Sequence, residues 1–334
     1  MDRLAATVDA AASAARFAGV VRVDVGGRTA FAAAYGLADR RHRIPMTLDT
    51  QLAVASGAKT FTALTVMSLI VDGTLDLTTP ARTVLGDDLP LIGGDVTVEH
   101  LLGHRSGIGD YLDEDTLTRP DDYVLTVPVH RLERTESYLG VLDGLPAKFP
   151  AGTGFSYCNS GYVILALIAE RVGGAPFHVL VHERVCRPAG LKDSAYLRSD
   201  SLPGRAAVGY VEVDGSWRSN VLHLPVIGTG DGGIYTTVAD VHRLWHAVFA
   251  GLVVPPATVA DMIRPRSTTP SGRDRYGLGF WLDGTGPGVR LEGCDAGVSF
   301  AGRHDPVTGV TWTVIGNTSD GAWPLARALH AGQS

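Results

Sequence analysis

Strand-like patterning is confined to the two ends of this 334-residue chain, and that separation limits the possible folds more than any other feature. Within residues 19–36, VVRVDVGG and RTAFAAAYG are alternating runs around Gly26-Gly27, the pattern of a β-hairpin. From 228 onward GIYTT, RYGLGFWL, VRLEGC, VSFAGRH and VTWTVIGN read as strands. A helix at about 238–250 interrupts them, and WPLARALHA closes the chain as a terminal helix. From about 75 to 224, short helical runs alternate with loops rich in Pro and Gly. The expected fold is therefore α/β (α+β): an antiparallel sheet flanked by helices and formed from both termini. Residues 1–75 and 225–334 make up that part, and 76–224 form an inserted, mainly α-helical subdomain.

The helices have readable ends. Residues 2–17 form an Ala-rich helix. GAKTFTALTVMSLIVD, at 57–72, is apolar on all sides, which predicts a buried helix, with Gly73 as its C′ residue. Thr97 is placed to cap VEHLLGH, Ser160 precedes GYVILALIAERVGG, and FHVLVHERVCRPAGL gives a further helix.

Composition narrows the class. With 45% hydrophobic and 19% charged residues the chain is globular rather than disordered. A net charge of −6 gives no basic field, so nucleic acid is not an expected partner. Three Cys (158, 186 and 294) do not make a disulfide scaffold and point to a reduced compartment. No signal-peptide core and no apolar run of about 18 residues is visible. The expectation is a cytoplasmic protein without membrane association.

Chemistry concentrates at Ser56-Gly57-Ala58-Lys59. On a helix, positions i and i+3 share a face, so a hydroxyl and an amine meet. Ser56 would sit at the helix start, where free N–H groups favour negative charge and a protonated amine is disfavoured. A neutral Lys59 would then accept the Ser56 proton. With 17 Ser and three Lys in the chain, about 0.15 such matches are expected by chance. The bland alternative is a capping serine beside a solvated lysine. Tyr157-Cys158-Asn159 adds a second element: in an extended segment Tyr157 and Asn159 project to one side. Tyr157 would relay a proton to the leaving group, and Asn159 would hold Lys59 and a substrate carbonyl.

Together these motifs resemble the serine β-lactamase and penicillin-binding-protein superfamily, most closely its class C branch with esterases and D-amino-acid-specific peptidases. The resemblance runs over about 17–320. It includes LLGHRSGI at 101–108, F-x-x-G before Tyr-x-Asn, Gly232-Gly233 with Thr236, Thr237 and Asp240, and YGLGF at 276–280. It implies an α/β domain plus a helical domain with the active site between them. By the same resemblance Ser56 is the nucleophile, Lys59 its base, Tyr157 the proton relay and Asn159 a positioning group, with no cofactor and no metal.

The third family element, Lys-Thr-Gly or His-x-Gly on a strand edging the site, departs from the pattern. Its best match is Asp295-Ala296-Gly297, with Cys294 as the alternative occupant of the cationic position. Gly297 would keep the strand open, and the Val298 N–H would join that of Ser56 as oxyanion donor. An Asp would repel a substrate carboxylate, so penicillins should be poor substrates. A neutral ester or amide, or a substrate bearing an amine, fits better. The expected activity is ester or amide hydrolysis through an acyl-enzyme. An acyltransferase using the same intermediate, or a binding homologue without turnover, is the alternative. Oligomeric state is not readable.

Other features carry less. Gly228–Gly233 matches G-x-G-x-x-G but lacks the βαβ context of a dinucleotide site. The pairs His100/His104, His178/His182 and His242/His246 have metal-ligand spacing but no H-E-x-x-H glutamate. Ser106 lacks a partner lysine, and Cys158 and Cys294 lack a basic activator.

Overall fold

The computed structural model describes residues 2–332. Both ends of the chain enter one eight-stranded antiparallel sheet. The N-terminal part supplies helix α1 (Asp2–Ala14) and strands β1 (Gly19–Val25) and β2 (Arg28–Tyr35). Gly26 and Gly27 both have positive φ, as a two-residue hairpin turn requires. The C-terminal part supplies β6 (Ser267–Thr268), β7 (Asp274–Tyr276), β8 (Trp281–Asp283), β9 (Val289–Asp295), β10 (Val298–His304) and β11 (Val310–Gly316). Their order is β6-β7-β8-β9-β10-β11-β1-β2, so the first strand pairs with the last, Gly19 opposite Gly316.

Alternation divides the sheet residues between two layers. Val21, Val23, Ala301 and Val314 pack under α1 and the terminal helix α5 (Ala322–Ala331). Val20, Leu291, Phe300 and Ile315 face the larger core, with α2 (Ala58–Val71), α3 (Asn159–Gly173) and α4 (Val238–Phe249). Helix α2 is buried from Ala58 through Leu69, which explains why its sequence shows no polar face. Gly73, with φ +74°, ends it: Gly73 N–H bonds to Ile70 and Thr74 N–H to Leu69, a Schellman close. Thr97 caps the helix at Val98–Leu102 by accepting from His100 N–H, while His100 Nδ1 accepts from Thr97 N–H.

Some local expectations need correction. The first helix stops at Ala14, because Arg16 takes a positive φ and turns the chain. Helix α3 opens at Asn159, one residue before Ser160. RYGLGFWL is two strands, not one. Between them Gly279, at φ +85°, dives onto α2, where a Cβ would lie 2.2 Å from that of Ala63. The strand within GIYTT (β5, Ile234–Thr236) stays out of the main sheet. It pairs instead with β3 (Leu52–Ala53) and β4 (Ala195–Tyr196). That small sheet links the two sequence halves of the α/β part to the inserted segment.

Among the described residues no single helix is long and apolar enough to cross a membrane.

Candidate active site

Ser56 lies in a 3-10 turn, Ala55–Gly57, that feeds directly into α2. Ala55, almost wholly buried, has φ +46°, a conformation costly for a residue with a Cβ. That kink carries the chain from β3 into the helix and presents Ser56 at its N-terminus. One turn on, Lys59 is 2% exposed. Its Nζ lies 2.8 Å from Ser56 Oγ, 2.7 Å from Asn159 Oδ1 and 2.9 Å from the Asp231 carbonyl oxygen.

Asn159 is pinned from below. Its N–H and that of Ser160 both donate to Asp110, while its Nδ2 donates to the Leu112 carbonyl and to Glu114. Burial pushes Asp110 up to about 6, against those backbone donors. Tyr157 places its ring 4.9 Å from Lys59 Nζ. Burial, with Glu114 and Tyr276 nearby, raises its phenol well above the usual value, although a hydrogen bond with Ser56 opposes the shift. Tyr157 therefore keeps its proton at neutral pH.

His104 brackets that segment. Its carbonyl accepts from Ser156 N–H, and its Nδ1 accepts from Cys158 N–H at 3.0 Å. His100 caps a helix, and His242 Nδ1 pairs with Asp24 at 2.8 Å, so these histidines have partners of their own. Among the described residues no cluster of three His, Cys, Asp or Glu is placed to hold a metal.

The third motif requires a correction of register. Gly293, not Gly297, meets Ser56: a Cβ on it would lie 2.9 Å from Ser56 N and 2.2 Å from the Val54 carbonyl oxygen. The motif thus falls on Leu291-Glu292-Gly293, and an apolar Leu291 stands where the superfamily has its cation. Gly297 occupies the β9–β10 turn at φ +73°, against Tyr210 and Asn220. Asp295 pairs with Val298 across that turn. In such a ladder, hydrogen-bonding direction alternates residue by residue. The Asp283 N–H donates to the Gly288 carbonyl and Trp281 pairs with Arg290, so Arg290, Glu292 and Cys294 direct their backbone groups to the β8 side. Pairing with β8 ends at Arg290, which leaves the Cys294 N–H free beside Ser56. Val298 N–H instead points back into the ladder.

A cavity of about 230 Å³ opens beside Ser56, lined by Tyr111, Glu114, Asp231, Cys294 and Asp295 among others. No lysine or arginine lines it among the described residues. Burial raises Asp231, with Lys59 and the Tyr111 hydroxyl (2.5 Å from its Oδ2) opposing. Burial also lifts Asp295 to about 7; Lys59 lowers it, and Asp231 and Glu114 add to the rise. Asp231 escaped the sequence reading because it lay in a glycine run set aside as a failed nucleotide motif. Those glycines bring it in: at Gly230 a Cβ would strike the Tyr162 carbonyl oxygen at 2.0 Å. Tyr111 and Glu114 lie in a loop with no motif to mark them.

A family model for Beta-lactamase matches residues 4–333. The chain belongs to the beta-lactamase family. Within it the chain is similar to esterase EstB of Burkholderia gladioli, 29% identical over 86% of this chain and 77% of that protein. It is likewise similar to a D-aminopeptidase of Cereibacter sphaeroides (strain KD131 / KCTC 12085), 28% identical over 82% of this chain. The chain spans 77% of the first relative's length and 51% of the second's. A solved penicillin binding protein from Bacillus halodurans is 33% identical, with TM-score 0.91 over 97% of this chain and 99% of that one. Two of these three relatives, the esterase and the D-aminopeptidase, carry names of hydrolases.

Proposed function

We propose that this chain hydrolyses a small-molecule ester or amide through an acyl-enzyme on Ser56, and that the acyl part carries a positively charged nitrogen. The observation that carries the first half is the environment of Lys59 Nζ. Two of its three contacts, Asn159 Oδ1 and the Asp231 carbonyl, can only accept hydrogen bonds. Together they hold Nζ 2.8 Å from Ser56 Oγ, within reach for a proton to pass between the two. Lys59 then takes the Ser56 proton as Oγ attacks the carbonyl carbon. The N–H groups of Ser56 and Cys294 receive the oxyanion. Tyr157, still protonated, passes a proton to the departing group, and water releases the acid.

The second half rests on charge. Glu114, Asp231 and Asp295 line a cavity without a lysine or arginine, and Leu291 replaces the cation that would hold a substrate carboxylate. That disfavours penicillins and favours a substrate bearing an amine. The relatives named esterase and D-aminopeptidase agree with carbonyl substrates of this kind.

The test compares alanine methyl ester of either hand with its N-acetyl counterpart, in wild type and Ser56→Ala. Wild type should prefer the free amine at least tenfold. Ser56→Ala should lose on the order of 10³-fold or more in kcat, and intact mass should show an acyl adduct on wild type alone. Undiminished turnover by Ser56→Ala would sink the assignment.

A further inference from the structure

Ser56 stands between two spaces of unequal size. On one side lies the 230 Å³ cavity with its carboxylates. On the other is a cleft of about 10 Å³, bounded by Tyr157, Tyr276, Trp281 and Leu291 beside Lys59. That is room for roughly one water molecule.

The walls of the cleft pack on one another. The Trp281 indole stacks on the Tyr157 ring, 5.7 Å between centroids and 10° between planes. It stands edge-on to Tyr276 at 4.8 Å and 88°. Strand β8 holds Trp281 by its pairing with Arg290. Tyr276 is 2% exposed, and its hydroxyl lies 3.3 Å from that of Tyr162. Leu291 belongs to the core. Widening the cleft would mean lifting the half-buried Trp281 indole off both rings.

Chemistry decides which part of the substrate faces this cleft. When the tetrahedral intermediate collapses, the bond to the leaving group breaks, and the leaving atom needs a proton as it departs. Tyr157 and Lys59 hold that proton, and both border the cleft. The leaving group therefore departs on the narrow side while the acyl part occupies the wide one.

We propose that Trp281 limits the leaving group to the size of ammonia or methanol, so that the substrates of this site are primary amides and methyl esters. The inference rests on the acyl-enzyme reading of Ser56. For an amide, the Ser56 oxygen–carbon bond forms and the carbon–nitrogen bond breaks. The Ser56 proton leaves with ammonia, and water then cleaves the acyl-serine to the acid and the free hydroxyl.

The experiment keeps one acyl group and varies what departs: the methyl, butyl and benzyl esters of alanine, with acid production measured on the full chain. Methanol and benzyl alcohol are leaving groups of similar quality, so chemistry alone gives no preference for the methyl ester. The expected result is a methyl-to-benzyl ratio in kcat/KM of tenfold or more. That ratio should fall to threefold or less in Trp281→Ala and in the milder Trp281→Leu. Labelling of Ser56 by a small alkyl fluorophosphonate, which expels only fluoride, is measured in parallel. If Ser56 is labelled and wild type hydrolyses the benzyl ester as well as the methyl ester, this inference alone is overturned. If Ser56 is not labelled, the acyl-enzyme reading fails and takes this inference with it.

Discussion

At Asp295 stability and the proposed recognition of a cation pull in opposite directions. Burial lifts it from the ordinary carboxylate range to about 7, with Asp231 and Glu114 adding to the rise. Its unfolded counterpart ionises near pH 4 and the folded one near pH 7, so the folded state binds more protons between those values. Stability is therefore lost as pH rises from about 4 to 7, and the full cost, about 4 kcal/mol at most, persists above that. Asp295→Asn removes the charge while keeping the shape. Its urea midpoint should exceed that of wild type at pH 8 and match it at pH 4. Recognition runs the other way. A guanidinium-bearing ester stays cationic throughout this range, so its KM should fall in wild type as pH rises from 6 to 8. In Asp295→Asn that dependence should disappear. A KM that stays flat in wild type would remove Asp295 from cation binding.

Between elements, the decisive contact is where β9 passes the start of α2. The three atoms nearest a Cβ at Gly293 would all be backbone, those of Val54, Ser56 and Gly57, none of which can swing aside. Gly293→Ala should displace Ser56 and reduce kcat about 10²-fold. Gly297→Ala clashes instead with Tyr210 N in the far turn and should show itself first in the urea midpoint. The opposite pattern would restore the register in which Val298 N–H faces the oxyanion. This pair of glycines also marks the limit of what the sequence reveals. The Ser56–Lys59 approach was legible because one helical turn fixes it, and Asn159 because two residues in an extended segment share a side. Nothing local distinguishes Gly293 from Gly297: both lie in one hairpin, and only packing against the residue 54–57 turn selects between them. Asp231 and Tyr111 were invisible for the same reason, since the 2.5 Å contact between them joins positions 120 residues apart. The hairpin at 19–36 and the closing helix were readable, whereas the break in RYGLGFWL depends on α2 pressing against Gly279.

The whole molecule depends on a closure between its ends. β1 lies between β2 and β11, so the N-terminal hairpin joins the sheet only when the Gly19 and Gly316 regions meet. A chain stopped at residue 305 lacks β11 and α5, leaving β1 and β10 each with one unpaired edge. Such a chain should show no cooperative urea transition and no fluorophosphonate labelling of Ser56. Labelling at the wild-type rate would mean the helical layer holds the nucleophile without the sheet.

The path from Ser56 to Cys294 also sets a clock during synthesis. Ser56 leaves the ribosome first, and the Cys294 N–H follows roughly 240 residues later, on the order of tens of seconds at ordinary translation rates. Throughout that interval the nascent polypeptide carries a serine and a lysine without the wall that would hold an oxyanion. On the acyl-enzyme reading, hydrolytic competence would thus wait for β9, and a chain not yet extended that far would be inert towards esters and amides.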